Sequence, residues 1–246
     1  MKLNQRITGQ IERPADKRRY VRRLFAGVAD RYDLTNDVMS LGLHRRWKRR
    51  LLARADLRPD HRVLDLAAGT GDLARGALRR AAREAFEIHV IAADLTSEMM
   101  RVGRAKPGPD LAGWIGADAL RLPFPDGAFD RVVIGYGLRN FAGLDSALAE
   151  SFRCLRPGGR LISLDFGHPR SAALRRIYLE YLDVSTRIAG WALHRDPESY
   201  AYIPESLRRF PDQREMVRRM EAAGFVECGH EDLMMGTMAI IYGDRR

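Results

Sequence analysis

Residues 62–72, Arg-Val-Leu-Asp-Leu-Ala-Ala-Gly-Thr-Gly-Asp, constrain this chain more than any other stretch. Val63, Leu64 and Leu66 suit a buried strand, and Asp65 places a carboxylate near its end. The chain then breaks at Gly69 and Gly71, which allow a tight turn and close approach of another group to the backbone. Leu73, Ala74, Ala77 and Leu78 resume at helical spacing. A strand, a glycine loop and a helix start in that order form a cradle for a nucleotide-like ligand in an α/β fold.

Charge narrows the choice of ligand. Gly69, Gly71 and Ala74 satisfy the loose G-x-G-x-x-G/A dinucleotide pattern, so a nicotinamide oxidoreductase is one reading. Asp65 argues against it, because a buried anion beside the loop repels a pyrophosphate and favours a cation. S-adenosylmethionine carries an ammonium and a sulfonium and no phosphate, so an acidic strand end suits it. Asp72 is a second poor neighbour for phosphate, and it also reads as a first-turn acid set on the helix dipole. Residues 88–93 read as the next buried strand and lead into Asp94, 25 residues after Gly69, where a βαβ unit sets an acid against a ribose diol.

Further along come Gly116-Ala117-Asp118-Ala119, then Leu122-Pro123-Phe124-Pro125-Asp126-Gly127-Ala128-Phe129-Asp130, then a strand over 131–134. With these blocks the chain resembles the class I S-adenosylmethionine-dependent methyltransferases over residues 60–165. The resemblance implies that Asp118 meets the adenine amino group, although alone it reads as a turn former. The candidate cofactor residues are then Asp65, Ala67, Gly69, Thr70 and Gly71 around the first loop. Asp94, Leu95, Asp118, Ala119 and Gly135 follow at the later strand ends.

A narrower resemblance runs nearly end to end. Tyr32-Asp33-Leu34-Thr35-Asn36-Asp37-Val38-Met39-Ser40, followed by His44, Trp47 and Lys48, resembles the N-terminal signature of the ubiquinone/menaquinone biosynthesis C-methyltransferases. Gly137-Leu138-Arg139-Asn140, residues 155–161, Glu205-Ser206-Leu207 and Phe210-Pro211-Asp212-Gln213 agree with it. The resemblance implies transfer of a methyl group from S-adenosylmethionine to a ring carbon of a polyprenyl quinol. The acceptor would be demethylmenaquinol, a 2-methoxy-6-polyprenyl-1,4-benzoquinol, or both. Another small aromatic or an RNA acceptor is the alternative, as is a non-catalytic protein that keeps the fold and only binds. Three positions depart from the family pattern: Thr35 replaces a usual methionine, Gly135 a frequent cofactor-contacting serine, and Asp165 a usual glutamate.

Carbon methylation of a quinol needs electron density at an unsubstituted ring carbon, which ionisation of a ring hydroxyl supplies. A guanidinium keeps its proton, so Arg139 would stabilise the phenolate or polarise a water; it also reads as a structural ion-pair partner. The family resemblance gives Asn140 and Tyr32 the task of orienting the same oxygen. His44 and His168 are alternative bases. Asp33 and Asp37 read as caps of a helix opening at Asn36, or as pocket residues.

At 246 residues the chain is long enough for one α/β domain with additions. The expected layout is a basic helical cap over 1–58, a cofactor core over 59–165, a helical substrate cap over 166–222 and closing strands over 223–246. Strands are expected near 62–66, 88–93, 112–116, 130–134 and 159–165, with helices near 72–85, 97–105 and 144–154. Residues 225–229 and 234–242 read as the closing strands. The sheet is a Rossmann-like, mostly parallel one of seven strands, and the resemblance implies the order 3-2-1-4-5-7-6. In the insertion, Leu174, Ile177, Tyr178, Tyr181, Leu182 and Ile188 mark a helical apolar face. Trp191, Tyr200 and Tyr202 follow, suggesting an aromatic-lined acceptor pocket.

Residues 1–60 carry 16 Lys or Arg against 7 Asp or Glu, which is nearly all of the net +10 charge. Clusters at 17–23 and 45–50 flank Val21, Leu24, Phe25 and Val28 at helical spacing, a pattern that suits an anionic membrane surface or a solvated face. No RNA module accompanies the charge, so nucleic acid is not expected. Cys154 and Cys228 lack metal spacing, which points to inert thiols, a reducing cytoplasm and no metal. No apolar run reaches the roughly 18 residues of a membrane span. The expectation is a cytoplasmic protein with peripheral contact at the inner membrane face, a homodimer being one open assembly.

Overall fold

Strand residues that alternate between two buried faces organise the molecule. The computed structural model describes residues 13–194 and 202–246. In chain order the helices are α1 (Pro14–Val28), α2 (Tyr32–Ser40), α3 (Leu43–Arg54), α4 (Asp72–Arg83) and α5 (Ser97–Ala105). Then come α6 (Leu144–Cys154), α7 (Ala172–His194), α8 (Tyr202–Arg209) and α9 (Gln213–Ala222). The strands are β1 (Arg62–Leu66), β2 (His89–Asp94), β3 (Gly113–Gly116), β4 (Phe129–Gly135), β5 (Leu155–Phe166), β6 (Val226–Leu233) and β7 (Met238–Asp244).

The seven strands form one sheet in the order β3-β2-β1-β4-β5-β7-β6, as expected. β1 to β5 pair in parallel, and β7 runs antiparallel between β5 and β6. Leu64, Leu66, Val132 and Ile134 enter the core on one face; Val63, Val133, Ile162 and Leu164 enter the core on the other. A period of two on a sheet covered on both sides gives this division, and it sends Asp65 to the Val63 face. All parallel strands therefore end at one edge, where loops and the N-terminal helices gather.

Several boundaries differ from the sequence reading. β5 begins at Leu155, because Phe129 pairs with Leu155 before a register shift, so the Pro157-Gly158-Gly159 turn is absorbed into the strand. The last strand begins at Met238: Met234 and Met235 adopt φ of +48° and +57° and form the hairpin turn. α2 starts at Tyr32, so Asp33 and Asp37 lie inside it and cap no helix at Asn36. Asp33 instead accepts from Thr70 at 2.8 Å, and Asp37 pairs with Arg45 at 2.6 Å.

The apolar face of α1 also points elsewhere than to lipid. Val21 and Val28 are buried, and Leu24 and Phe25 wall an internal cavity. On α7 the expected face splits, with Tyr178 and Leu182 turned inward and Ile177 and Ile188 exposed. Tyr200 lies outside the described residues. Among the described residues, no helix is long and apolar enough to cross a membrane, and no cluster of metal-ligating side chains occurs.

Candidate active site

The loop after β1 supplies the floor of the site. Gly69 and Gly71 take φ of +56° and +79°, which lets the chain reverse within three residues and start α4. Asp65 is buried and its Oδ2 accepts the Ala74 N–H at 2.8 Å, tying the strand end to the helix start. Burial pushes its pKa up to about 7, against that hydrogen bond and the nearby Lys48. Asp94 holds the loop from the other side: its Oδ2 accepts from Gly69 N at 2.7 Å and its Oδ1 from Thr96 N at 2.8 Å. Burial raises the pKa of Asp94 as well, while these backbone donors oppose the rise.

Three adjoining spaces open at the sheet edge. A cleft is walled by Ala67, Gly69, Asp94, Leu95, Asp118 and Ala119, with Gly135 and Asn140 completing it. A narrow extension reaches Asp65, Thr70 and Asp72. An apolar cavity of about 370 Å³, a size usual for a small-molecule site, lies under α1, α2 and α7. Tyr32 and Tyr136 wall all three spaces, so the cleft and the cavity meet between them. Burial raises the pKa of both phenols, which keeps them protonated.

Nine of the ten expected cofactor residues wall the cleft or its extension. Gly71 does not; it makes the turn, and a Cβ on it would stand 2.6 Å from the Trp114 ring. At Gly135 a side chain would crowd Leu73, because a Cβ there would stand 2.8 Å from Leu73 Cδ1. Asp118 Oδ1 accepts from Leu120 N, and its Oδ2 pairs with Arg18 of α1 at 2.7 Å.

The expected catalytic residues divide between the two spaces. Arg139 is buried against the apolar cavity, its Nη1 donating to Asp165 Oδ1 at 2.6 Å and to Tyr136 O at 3.0 Å. Arg139 is thus the ion-pair partner that its structural reading expected, on the wall of the cavity. Burial opposes its charge, yet Asp165 holds the guanidinium pKa above its usual value. Its Nε and the Tyr136 hydroxyl are buried without a hydrogen-bond partner. Asn140 walls the cleft, not the apolar cavity, and its Nδ2 donates to Tyr136 O at 2.9 Å. His44 reaches the apolar cavity with Nδ1 2.8 Å from Ser40 Oγ, and burial lowers its pKa with help from Lys48. His168 contacts Phe210 O at 2.9 Å and lines neither space.

Two features escaped the sequence. Tyr136 sits between Gly135 and Gly137 at the end of β4 with φ +62°, and that flanking was its only signal. A cation pair, Lys48 and Lys106, bridges three elements: Lys48 Nζ lies 2.9 Å from Asp72, and Lys106 contacts Asp33, Thr70 and Asp72. Burial works against ionisation of Asp72, but the two lysines hold its carboxyl well below the usual range.

The comparisons agree with this geometry. The sequence profile of the ubiE/COQ5 methyltransferase family matches residues 13–245. The chain is 40% identical over 232 residues to the ubiquinone/menaquinone biosynthesis C-methyltransferase UbiE of Methylococcus capsulatus, covering 93% of this chain and 92% of that one. It is 42% identical over 234 residues to the protein of the same name from Acidiphilium cryptum, with coverage of 94% and 92%. A SAM-dependent methyltransferase from Thermotoga maritima shares the fold with a TM-score of 0.59 at 20% identity, covering 91% of this chain and 99% of that one. Phosphoethanolamine N-methyltransferase 2 of Haemonchus contortus, in complex with S-adenosyl-L-methionine, gives a TM-score of 0.57 at 15% identity, covering 81% and 52%. A profile match over almost the whole chain, joined to this strand order and this loop, shows that the protein belongs to the ubiE/COQ5 methyltransferase family.

Proposed function

We propose that the protein transfers the methyl group of S-adenosylmethionine to a ring carbon of a polyprenyl quinol, as the names of its relatives indicate for them. The observation that carries this reading is the junction at Tyr32 and Tyr136, where an acid-lined cleft meets an apolar cavity.

The cleft fits the cofactor. Asp94 walls the cleft at the end of β2, fixed by Gly69 N and Thr96 N, the position at which an acid of a βαβ unit meets a ribose diol. Asp65 and Asp72 wall the extension with Lys48, and a bound ammonium would draw the Asp65 carboxyl into its charged form beside it. In this reading Asp118, which walls the cleft and pairs with Arg18, takes the adenine amino group. When bound, S-adenosylmethionine supplies an electrophilic methyl group on sulfonium sulfur.

The acceptor side is the work of this chain's own residues. Arg139 and Tyr136 both wall the apolar cavity beside the junction, where in this reading the guanidinium stabilises a developing phenolate and the two side chains hold the ring against the junction. Asp165 keeps the guanidinium charged and fixed. Asn140 positions the Tyr136 carbonyl and so the loop that carries both side chains. Tyr32 closes the junction from α2. Residues 1–58 and 166–222 act in this reading as caps over the 59–165 core. A polyprenyl tail places the acceptor in a bilayer, so the protein works at the cytoplasmic membrane face, which its N-terminal cations favour.

The test is incubation of the pure protein with methyl-labelled S-adenosylmethionine and each demethylated quinol. Label on a ring carbon of the quinol is expected. Label on oxygen, on RNA or on no acceptor overturns the assignment.

A further inference from the structure

Ten large apolar side chains of the described residues stand exposed, and all ten belong to three segments that also wall the apolar cavity. On α7, Ile177, Tyr181, Val184, Ile188 and Trp191 follow at steps of four and three, a single stripe along the helix. On α2 and its C-cap, Leu34, Val38 and Leu41 make a second stripe of the same spacing. Met234 and Met235 of the β6–β7 hairpin complete the set. Exposure is high at the extremes: 87% at Leu41, 76% at Met235 and 69% at Trp191.

Leu41, Tyr181 and Met234 are exposed and belong to the cavity wall at the same time, so they mark its rim. The patch is therefore the outward continuation of the acceptor cavity. Charges border it with cations in excess: Arg45, paired with Asp37, and Arg46 and Arg49 are exposed on α3 just after Leu41, and Arg175, Arg176 and Arg187 are exposed on α7 beside Glu180. A contiguous apolar surface of this kind in water marks an interaction site.

We infer that the α2, α7 and 234–236 rim is the membrane-docking face, seated in the headgroup and upper acyl region of an anionic bilayer so that the quinol head passes from lipid into the cavity. The choice of a bilayer rests on the polyprenyl quinol reading. A second copy of the chain seated on the same stripes would close the rim against a lipid-borne substrate, whereas a bilayer feeds it. Basic flanks around an apolar centre match an anionic interface. The apolar side of α1 is already spent inside the protein, so the N-terminal helix does not provide this face.

The test uses the full chain and the double variant Val184→Glu with Ile188→Glu, neither residue belonging to the cavity wall. Flotation with vesicles of phosphatidylcholine and phosphatidylglycerol is the first measurement; the parent protein should float and the variant should bind about tenfold or more weakly. Turnover of a short-tailed, water-soluble quinol should stay within about twofold, while turnover of a long-tailed quinol in vesicles should fall about tenfold. A second measurement needs no charge substitution: Trp191 emission in the parent should be quenched by brominated phosphatidylcholine, with Trp191→Phe as the reference. Equal flotation of parent and variant, or unquenched Trp191, overturns the proposal. So does a parent dimer that the double variant splits while vesicle binding stays unchanged. Failure of the quinol assignment shows separately, as absence of turnover on every quinol, and flotation still decides the face.

Discussion

Arg139 Nη1 lies 2.6 Å from Asp165 Oδ1, and both side chains are buried, Arg139 on the wall of the apolar cavity. Losing either partner leaves an uncompensated charge, so Asp165→Ala should cost roughly 3–5 kcal/mol of unfolding free energy. Arg139→Lys keeps a charge but loses the planar fork, and turnover should fall by about 10²-fold with cofactor affinity little changed. Urea titration and separate cofactor titrations check the two statements. Equal losses of turnover and cofactor affinity in Arg139→Lys would remove Arg139 from the acceptor side.

Asp65 gives the cofactor site a pH dependence. Its folded pKa of about 7 lies above the unfolded value, so the folded state holds a proton that the unfolded chain has lost. Stability from this group is present at low pH and is lost as pH rises toward 7. A bound ammonium reverses the preference and favours the carboxylate. Cofactor affinity should therefore rise about tenfold between pH 6 and pH 8, with proton release near the lower end. Asp65→Asn keeps an acceptor for Ala74 N–H and should flatten the profile. Calorimetry in buffers of different ionisation enthalpy measures both.

Tyr136→Phe separates stability from function. The hydroxyl is buried and unpartnered, so its removal should raise stability by about 1 kcal/mol. If that hydroxyl holds the acceptor oxygen, turnover should fall by about 10-fold or more in the same variant. Thermal melts and quinol turnover read the two effects, and a variant that is both more stable and fully active would take Tyr136 out of the chemistry.

Gly135→Ser adds a side chain, the one the family resemblance leads one to expect, at a position where Leu73 stands 2.8 Å from the new Cβ. Overpacking should cost about 1–3 kcal/mol in the parent and less in a Leu73→Ala background. A double-mutant cycle of unfolding free energies should give a coupling of about 1 kcal/mol. Additive costs would mean that the backbone, and not Leu73, sets the limit.

The parallel strands and the loop of the cleft were legible because they follow from local pattern, whereas the strand order came from the family resemblance. A period-2 apolar run, a glycine break and an acid at the strand end point to Asp65, Gly69 and Asp94, which wall the cleft or its extension, as does Asp118, which the resemblance supplied. The acceptor side was harder, because its walls come from segments far apart in sequence. Tyr136 carries no spacing signal, and only its position between two glycines at a strand end sets it apart. Ile177 and Tyr178 are adjacent and equally apolar, yet one faces solvent and the other the cavity; only the packing of α7 on α2 decides between them. The outward stripe of α1 failed for the same reason, since a basic amphipathic helix looks alike whether its apolar side meets lipid or the protein's own cavity.

Helix α1 walls both spaces: Arg18 and Val21 face the cleft, Leu24 and Val28 face the cavity, and Phe25 faces both. A ligand that settles this helix from one side pre-orders it for the other. On the proposed function, donor and acceptor affinities should then be linked by one cooperativity factor, which thermodynamic reciprocity makes the same whichever ligand arrives first.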